Sequence, residues 1–338
     1  MPVLQSANGD DGRAASSRRG FLGAALGTAL VGPLTVATGT ASADDTPVRP
    51  PVVDTHMHVW ADDAKRYPFV HPYVPDFKGA PTPGTVEMLI EDMDQNDQTH
   101  SVLVQVIYHG WDNTYVADCV RRFPDRLVAH GLIDPEDPQA AERLTYWTSE
   151  HPIAGMRFSP IYYRGKDEWL ESAGHAEVWR RAEKSNLVFN YFISDEQLPK
   201  LARLAERHPG VHVIVDHLAQ IDLGKGDPEP AVQRLLAMAK YPNVSVKVSE
   251  LSSVSASKQY PFADAYPWVR RVYDAFGPEK LLFGTGYPGA ARAYYQRPTL
   301  ADELALIRDR IPFFSDDDVQ MILGANAARI WRLGNGNS

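Results

Sequence analysis

VVDTHMHVW, residues 52–60, is the stretch on which the reading of the fold turns. Two valines lead straight into Asp54, Thr55, His56 and His58, and the run closes on Val59 and Trp60. Apolar β-branched residues behind a Pro-rich lead-in suit a buried strand. Side chains two apart in a strand share a face, so His56 and His58 point the same way. A strand that is apolar at its base and polar at its tip is how a β/α barrel carries a site.

Working outward, seven further runs have the same character. They are SVLVQV from Ser101, RLVAHG from Arg126, IAGMRF from Ile153, LVFNYFI from Leu187, VHVIVDH from Val211, NVSVKVS from Asn243 and KLLFGT from Lys280. Most are continuous apolar runs, the pattern of strands buried on both faces in a parallel sheet. Helical periodicity fills the intervals at 87–96, 114–122, 139–150, 176–184, 196–208, 229–240 and 267–276, with 300–310 and 315–323 after the last run. Ser315 followed by Asp318 predicts an acidic capping box. This alternation implies an α/β chain folded as a single-domain (β/α)8 TIM barrel. The competing open, doubly wound sheet calls for a Gly-rich phosphate turn after its first strand, and none follows Trp60.

The N-terminus stands apart. Arg18 and Arg19 precede an apolar segment running to Ala37, and Ala41, Ser42 and Ala43 offer a small-x-small cleavage site. These features predict a twin-arginine signal peptide over 1–43, a barrel over 44–338 and a periplasmic or secreted protein. As a membrane anchor the apolar segment falls short of the roughly 20 residues a span needs. A net charge of −9 disfavours nucleic acid and anionic membrane surfaces as partners. The expected partner is a small-molecule substrate, with no membrane contact after signal cleavage and a homo-oligomer left open. Cys119 is the only cysteine, so no intramolecular disulfide can form and the core must stabilise the protein unaided.

In such a barrel the reactive groups sit at the C-terminal ends of the strands. His56 and His58 there can bind one metal ion, grip one anion, or stand as a hydrogen-bonded core pair. Arg157, ending GMRF, is a permanent cation suited to a carboxylate or an oxyanion, or to a salt bridge. Asn190 and Tyr191 offer hydrogen bonds. His217, with Asp216 beside it, is a candidate ligand or acid/base. Lys247, Ser249 and Glu250 end the seventh run. His109 and His130 lie near the mouth, whereas His71, His100, His151, His175 and His208 read as solvated.

DTHMHVW, GMRF, VDHLA, VSVKVSEL and FGPEKLLFGTGYP, closed by ILGANAARIWRL, together resemble the amidohydrolase-related family of the amidohydrolase superfamily. The likeness is strongest to the branch of 2-pyrone-4,6-dicarboxylate lactonase and sugar-lactone hydrolases, and it runs in order through essentially all of 44–338. The resemblance implies a (β/α)8 barrel with its site at the strand C-termini. It matches His56 and His58 to the first-strand pair, His217 to the sixth-strand histidine, and Arg157 to an arginine that grips a substrate carboxylate in some members. It implies either a divalent metal such as Zn2+ on His56, His58 and His217, or action without a metal. Decarboxylase relatives carry a further histidine on the fifth strand, where this chain has VFNYF, and some members of the lactonase branch need no metal.

The departure lies in the eighth run. The family motif is close to Phe-Gly-Ser/Thr-Asp-Trp/Tyr-Pro, and here it reads Phe283, Gly284, Thr285, Gly286, Tyr287, Pro288. Gly286 stands where the resemblance expects the aspartate that ligates metal or activates water. A general base typically contributes about a hundred- to ten-thousandfold in rate, so another group must act if water is to be activated. Glu250 is the first substitute, with Asp216, His217 and Tyr287 behind it. The expected activity is an exported lactonase-like hydrolase. His56, His58, His217 and Glu250 would surround the reaction at Gly286, and Arg157, Tyr191, Lys247 and Tyr287 would bind substrate. The alternatives are a decarboxylase, another lyase or an isomerase acting on a cyclic or aromatic acid, or a barrel silenced by Gly286. The connection 61–83, with Tyr67, Phe69, Tyr73 and Phe77, is expected to fold over the mouth and shape specificity.

Overall fold

Each apolar run becomes a strand in the computed structural model, which describes residues 50–334. The strands are β1 (Val53–Met57), β2 (His100–Val104), β3 (Leu127–Gly131), β4 (Gly155–Phe158), β5 (Val188–Tyr191), β6 (His212–Val215), β7 (Val244–Lys247) and β8 (Leu281–Leu282). They form one 8-stranded sheet in chain order, every neighbouring pair parallel. The ring closes between β1 and the residues just past β8. A parallel bridge joins Met57 to Gly286, with the His58 amide on Gly286 O at 2.7 Å and the Gly286 amide on His56 O at 2.7 Å. Gly286 is therefore a closing link of the barrel as well as a site position. The expected signal peptide over 1–43 lies outside the described residues.

The helices follow the predicted intervals closely. They are α1 (Val86–Gln95), α2 (Thr114–Arg122), α3 (Ala140–Glu150), α4 (Ala173–Lys184), α5 (Leu198–Arg207), α6 (Glu229–Leu236), a short α7 (Leu251–Val254), and α8 (Tyr266–Phe276). After β8 come α9 (Ala291–Tyr294), α10 (Leu300–Ala305), α11 (Asp316–Gln320) and α12 (Asn326–Trp331). Differences occur at the ends and have local causes. Ser172 Oγ accepts from the His175 amide at 3.1 Å, so α4 begins three residues earlier than its apolar periodicity suggests. The predicted box at α11 forms, Ser315 Oγ accepting from the Asp318 amide and Asp318 Oδ2 from the Ser315 amide. Among the described residues no helix is long and apolar enough to cross a membrane.

Two apolar layers hold the barrel. Outside it, Met57, Leu103, Ala129, Met156, Phe189, Val213, Val246 and Phe283 are buried against the helices. Inside, Val53, Val102, Val188, Ile214 and Leu282 from five strands meet at the floor, where Ala327 and Trp331 of α12 pack beneath them. A fully buried side chain of this size contributes about 1.5–3 kcal/mol, so the floor fixes the strand ends firmly. Because strand side chains alternate, the next inward position on three of the strands is polar: His130 above Val128, Asn190 above Val188, Asp216 above Ile214. The apolar floor thus lifts a polar layer to the mouth.

The connection 61–83 is tied to the loops after β2 and β4. Phe69 stacks on His109 and Phe77 on Tyr108, with ring centroids 4.9 and 5.0 Å apart. The Val70 amide donates to Tyr108 O at 2.9 Å, and the Tyr73 hydroxyl meets that of Tyr163. His109 serves here as an anchor, holding Pro68 O and the Ala61 amide.

Candidate active site

The polar layer is a relay of neutral rings over a buried ion pair. His58 Nδ1 lies 2.7 Å from Val104 O, and a carbonyl can only accept, so Nδ1 carries the proton. Burial, helped by the charge of Arg157, pushes the His58 pKa down to about 3, so the ring is neutral and Nε2 is an acceptor. His56 Nε2, 3.1 Å away, then donates to it, which leaves His56 Nδ1 bare. Lys247 Nζ fills that need at 3.0 Å and also stands 3.0 Å from Asp216 Oδ1. Burial and the neighbouring Lys247 hold the His56 pKa well below its ordinary value. For Asp216, burial opposes ionisation, but Lys247 and His56 outweigh it and keep the carboxyl charged.

His217 approaches from the other side, its ring centroid 4.3 Å from that of His56. Its Nδ1 is 2.8 Å from Ser249 Oγ and its Nε2 is 3.6 Å from Glu250 Oε1. Both residues adopt left-handed backbone: φ is 49° at His217, with Leu218, Ala219 and Gln220 following at 53°, 56° and 54°, and 52° at Glu250. Such non-glycine positions cost on the order of 1–3 kcal/mol each and cluster where a site needs them. Here they turn the tips of β6 and β7 so that imidazole and carboxylate face one another. Arg297, from the loop after α9, donates to Glu250 Oε2 at 2.8 Å and is itself held by Ser252 and Ser253. Ser249 lies in the VSVKVSEL run, whereas no motif in the sequence marks Arg297, which the fold alone delivers.

Arg157 reaches the mouth with its guanidinium 4.6 Å over the Phe192 ring. Its ion-pair contact among the described residues is Nε to Asp216 Oδ2 at 3.5 Å, so the terminal nitrogens remain for a ligand. Tyr287 lies at the rim, stacked on Tyr295 at 4.0 Å and tilted against His58 at 5.5 Å. Asn190 is wholly buried with neither amide atom hydrogen-bonded to protein, next to Arg157 in the β4–β5 register.

Several expectations need correction. Tyr191 cannot bind substrate from this position: it faces the helices, wholly buried, its hydroxyl 2.9 Å from His175 Nε2 and accepting from Trp179 at 3.0 Å. Strand alternation turns its neighbour Asn190 inward instead. Lys247 is also wholly buried, beneath His56, with its ammonium 3.0 Å from both His56 Nδ1 and Asp216 Oδ1. His175, read as solvated, is 1% exposed because it fills the space behind Tyr191. His130 lies deeper, accepting from the Trp331 indole at 2.9 Å.

A metal is testable against the donors. His56, Asp216 and His217 each offer one ligand atom, all within 4.8 Å of one another, Asp216 being ion-paired through Oδ1 with Lys247 and through Oδ2 with Arg157. Two imidazoles and a carboxylate are the ligand types a zinc ion takes. The set fits a divalent ion, with Asp216 standing where His58 was expected and His58 adjoining through His56. The Lys247 ammonium shares two of these residues, so an incoming dication must compete with it. A cleft of about 470 Å3 lined by Arg66, Asp118, Arg121 and Arg122 lies elsewhere, by α2, and its charges pair with one another.

The chain matches the amidohydrolase family model over residues 53–333. An L-fucono-1,5-lactonase of Burkholderia ambifaria is 22% identical over 245 residues, covering 70% of this chain and 80% of that protein. Two solved structures share the fold. A probable 2-pyrone-4,6-dicarboxylic acid hydrolase from Acinetobacter baumannii, with citric acid bound, has a TM-score of 0.68 at 21% identity over 83% of this chain and 99% of its own. An amidohydrolase from Burkholderia multivorans with bound zinc has a TM-score of 0.67 at 21% identity over 84% of this chain and 99% of its own.

Proposed function

We propose a function from one premise: the chain belongs to the amidohydrolase family, whose model spans residues 53–333. The protein is a hydrolase that opens a lactone or related cyclic ester by attack of water, working outside the cytoplasm after twin-arginine export. The observation that carries this reading is the convergence of three buried imidazoles and one available guanidinium on a single mouth. The names of two relatives, an L-fucono-1,5-lactonase and a probable 2-pyrone-4,6-dicarboxylic acid hydrolase, support it.

Arg157 orients the substrate through a carboxylate or another polar group, which its planar fork can grip with paired hydrogen bonds. His217, with Nδ1 held by Ser249, presents Nε2 to the reacting carbonyl. Charge developing on the carbonyl oxygen is stabilised by the His217 Nε2 donor, and one such donor is typically worth about 10²–10³ in rate. His58 is locked by Val104 and His56 by Lys247, so neither ring must reorganise as charge develops. A divalent ion on His56, Asp216 and His217 would polarise the carbonyl and acidify a bound water.

The test is turnover by the purified 44–338 chain on a panel of sugar lactones and pyrone carboxylates, followed by proton release. Ring opening of one class supports the reading. If no ester is opened while an aromatic acid loses carbon dioxide, the decarboxylase alternative takes its place.

A further inference from the structure

We infer that Glu250 is the group that takes the proton from the attacking water, and that Gly286 is the space that admits it. This rests on the hydrolase reading above. A Cβ built on Gly286 meets one atom within 4 Å, Glu250 Oε1 at 3.5 Å. The carboxylate reaching over from the end of β7 therefore borders the volume into which a side chain on residue 286 would extend. The backbone there is reserved for glycine, with φ +110°.

Three further features fit Glu250 to the role. Its Oε2 is taken by Arg297, whose guanidinium is clamped by Ser252 and Ser253, so the carboxylate has one fixed and one free oxygen. The free Oε1 faces His217 Nε2, the atom offered to the carbonyl. The other nearby carboxylates are closed off. Asp216 is wholly buried below His56, and Asp54 is wholly buried on Thr285 and the His56 amide. Glu250 keeps 9% of its side chain exposed, at the mouth.

In the reaction, Oε1 removes a proton from water as the water oxygen bonds to the carbonyl carbon and the C=O π pair moves onto oxygen. Collapse of that intermediate breaks the ring C–O bond, and the alkoxide recovers the proton from Glu250. Lactone and water give one hydroxy acid, and the carboxylate is regenerated. An aspartate at 286 would place a second like charge against Glu250 in a strained backbone, and two carboxylates sharing a site resist joint ionisation.

The test compares the wild type with Glu250→Gln, Glu250→Ala and Gly286→Asp on a lactone that the wild type opens. Glu250→Gln keeps the shape and is expected to lose about 10²–10⁴ in kcat with KM little changed. Added formate is expected to restore part of the activity of Glu250→Ala in a saturable way, a gain that a purely structural role would not produce. Gly286→Asp is expected to lower kcat. Near-normal kcat in Glu250→Gln, no formate response in Glu250→Ala, or a rise of tenfold or more in Gly286→Asp would each overturn the inference. A wild type that opens no lactone overturns the hydrolase reading instead, and with it the premise of this one.

Discussion

Acidification should destabilise this protein well above the carboxylate range. His58, His130 and His175 are buried, and burial pushes each pKa down to about 3. In the unfolded chain each histidine titrates near 6.5. Stability rises with pH wherever the unfolded state binds more protons, so it falls as pH drops below about 6.5. Each withheld proton costs about 1.4 kcal/mol per pH unit. Glu303 works the other way: burial raises its pKa to about 8, so the folded state holds a proton that the unfolded chain has shed above about pH 4.3. His212, which burial lowers to about 4, joins the three, and four groups against one leave a net of three protons, or about 4 kcal/mol per unit between about pH 6.5 and 4.5. His56 and His217 push with the histidines, and Asp54 pushes with Glu303. Against a total stability of about 5–15 kcal/mol, two units should remove a third or more. Urea unfolding followed by tryptophan fluorescence at several pH values measures this. His175→Gln, whatever its cost at neutral pH, should reduce the slope by about 1.4 kcal/mol per unit. A urea midpoint unchanged between pH 6.5 and 5 would refute the reasoning.

Other outcomes follow from single contacts. Lys247→Met strands the Asp216 carboxylate in the interior and should cost about 3–5 kcal/mol, while Lys247→Met with Asp216→Leu should recover much of it; equal losses in the single and double variants, by urea titration, would count against the pairing. Arg157→Lys removes the paired donors and should lower kcat/KM about tenfold or more, a change of about 1.4 kcal/mol or more, with the melting temperature held. Zinc titrated calorimetrically should bind at one equivalent per chain and fail to bind Asp216→Asn; unchanged binding in that variant would move the metal off the proposed donors.

The alternation of apolar runs and helical intervals made the barrel legible because each strand is buried on both faces, and burial leaves its mark on local sequence. The same local rule exposed His56, His58, His217 and Arg157, polar residues at the ends of apolar runs. It failed at Tyr191. Period two says that Asn190 and Tyr191 point opposite ways but not which points inward, and only the register with β4 and β6 decides that. Lys247 misled for a related reason: a lysine at a strand end reads as a mouth residue, yet Asp216 and His56 beside it let the ammonium stay buried.

What the sequence determined by itself was therefore the barrel and some of the groups at its mouth, His56, His58, His217 and Arg157, since these follow from periodicity along one chain. The pairings were decided by the tertiary structure. Gly286 looked like a missing carboxylate until the fold laid Glu250 Oε1 against its side-chain space and brought Arg297 to fix the other oxygen. Charge pairing acts through space, so two groups on different strand ends can settle each other's position and protonation while leaving no pattern in the order of residues.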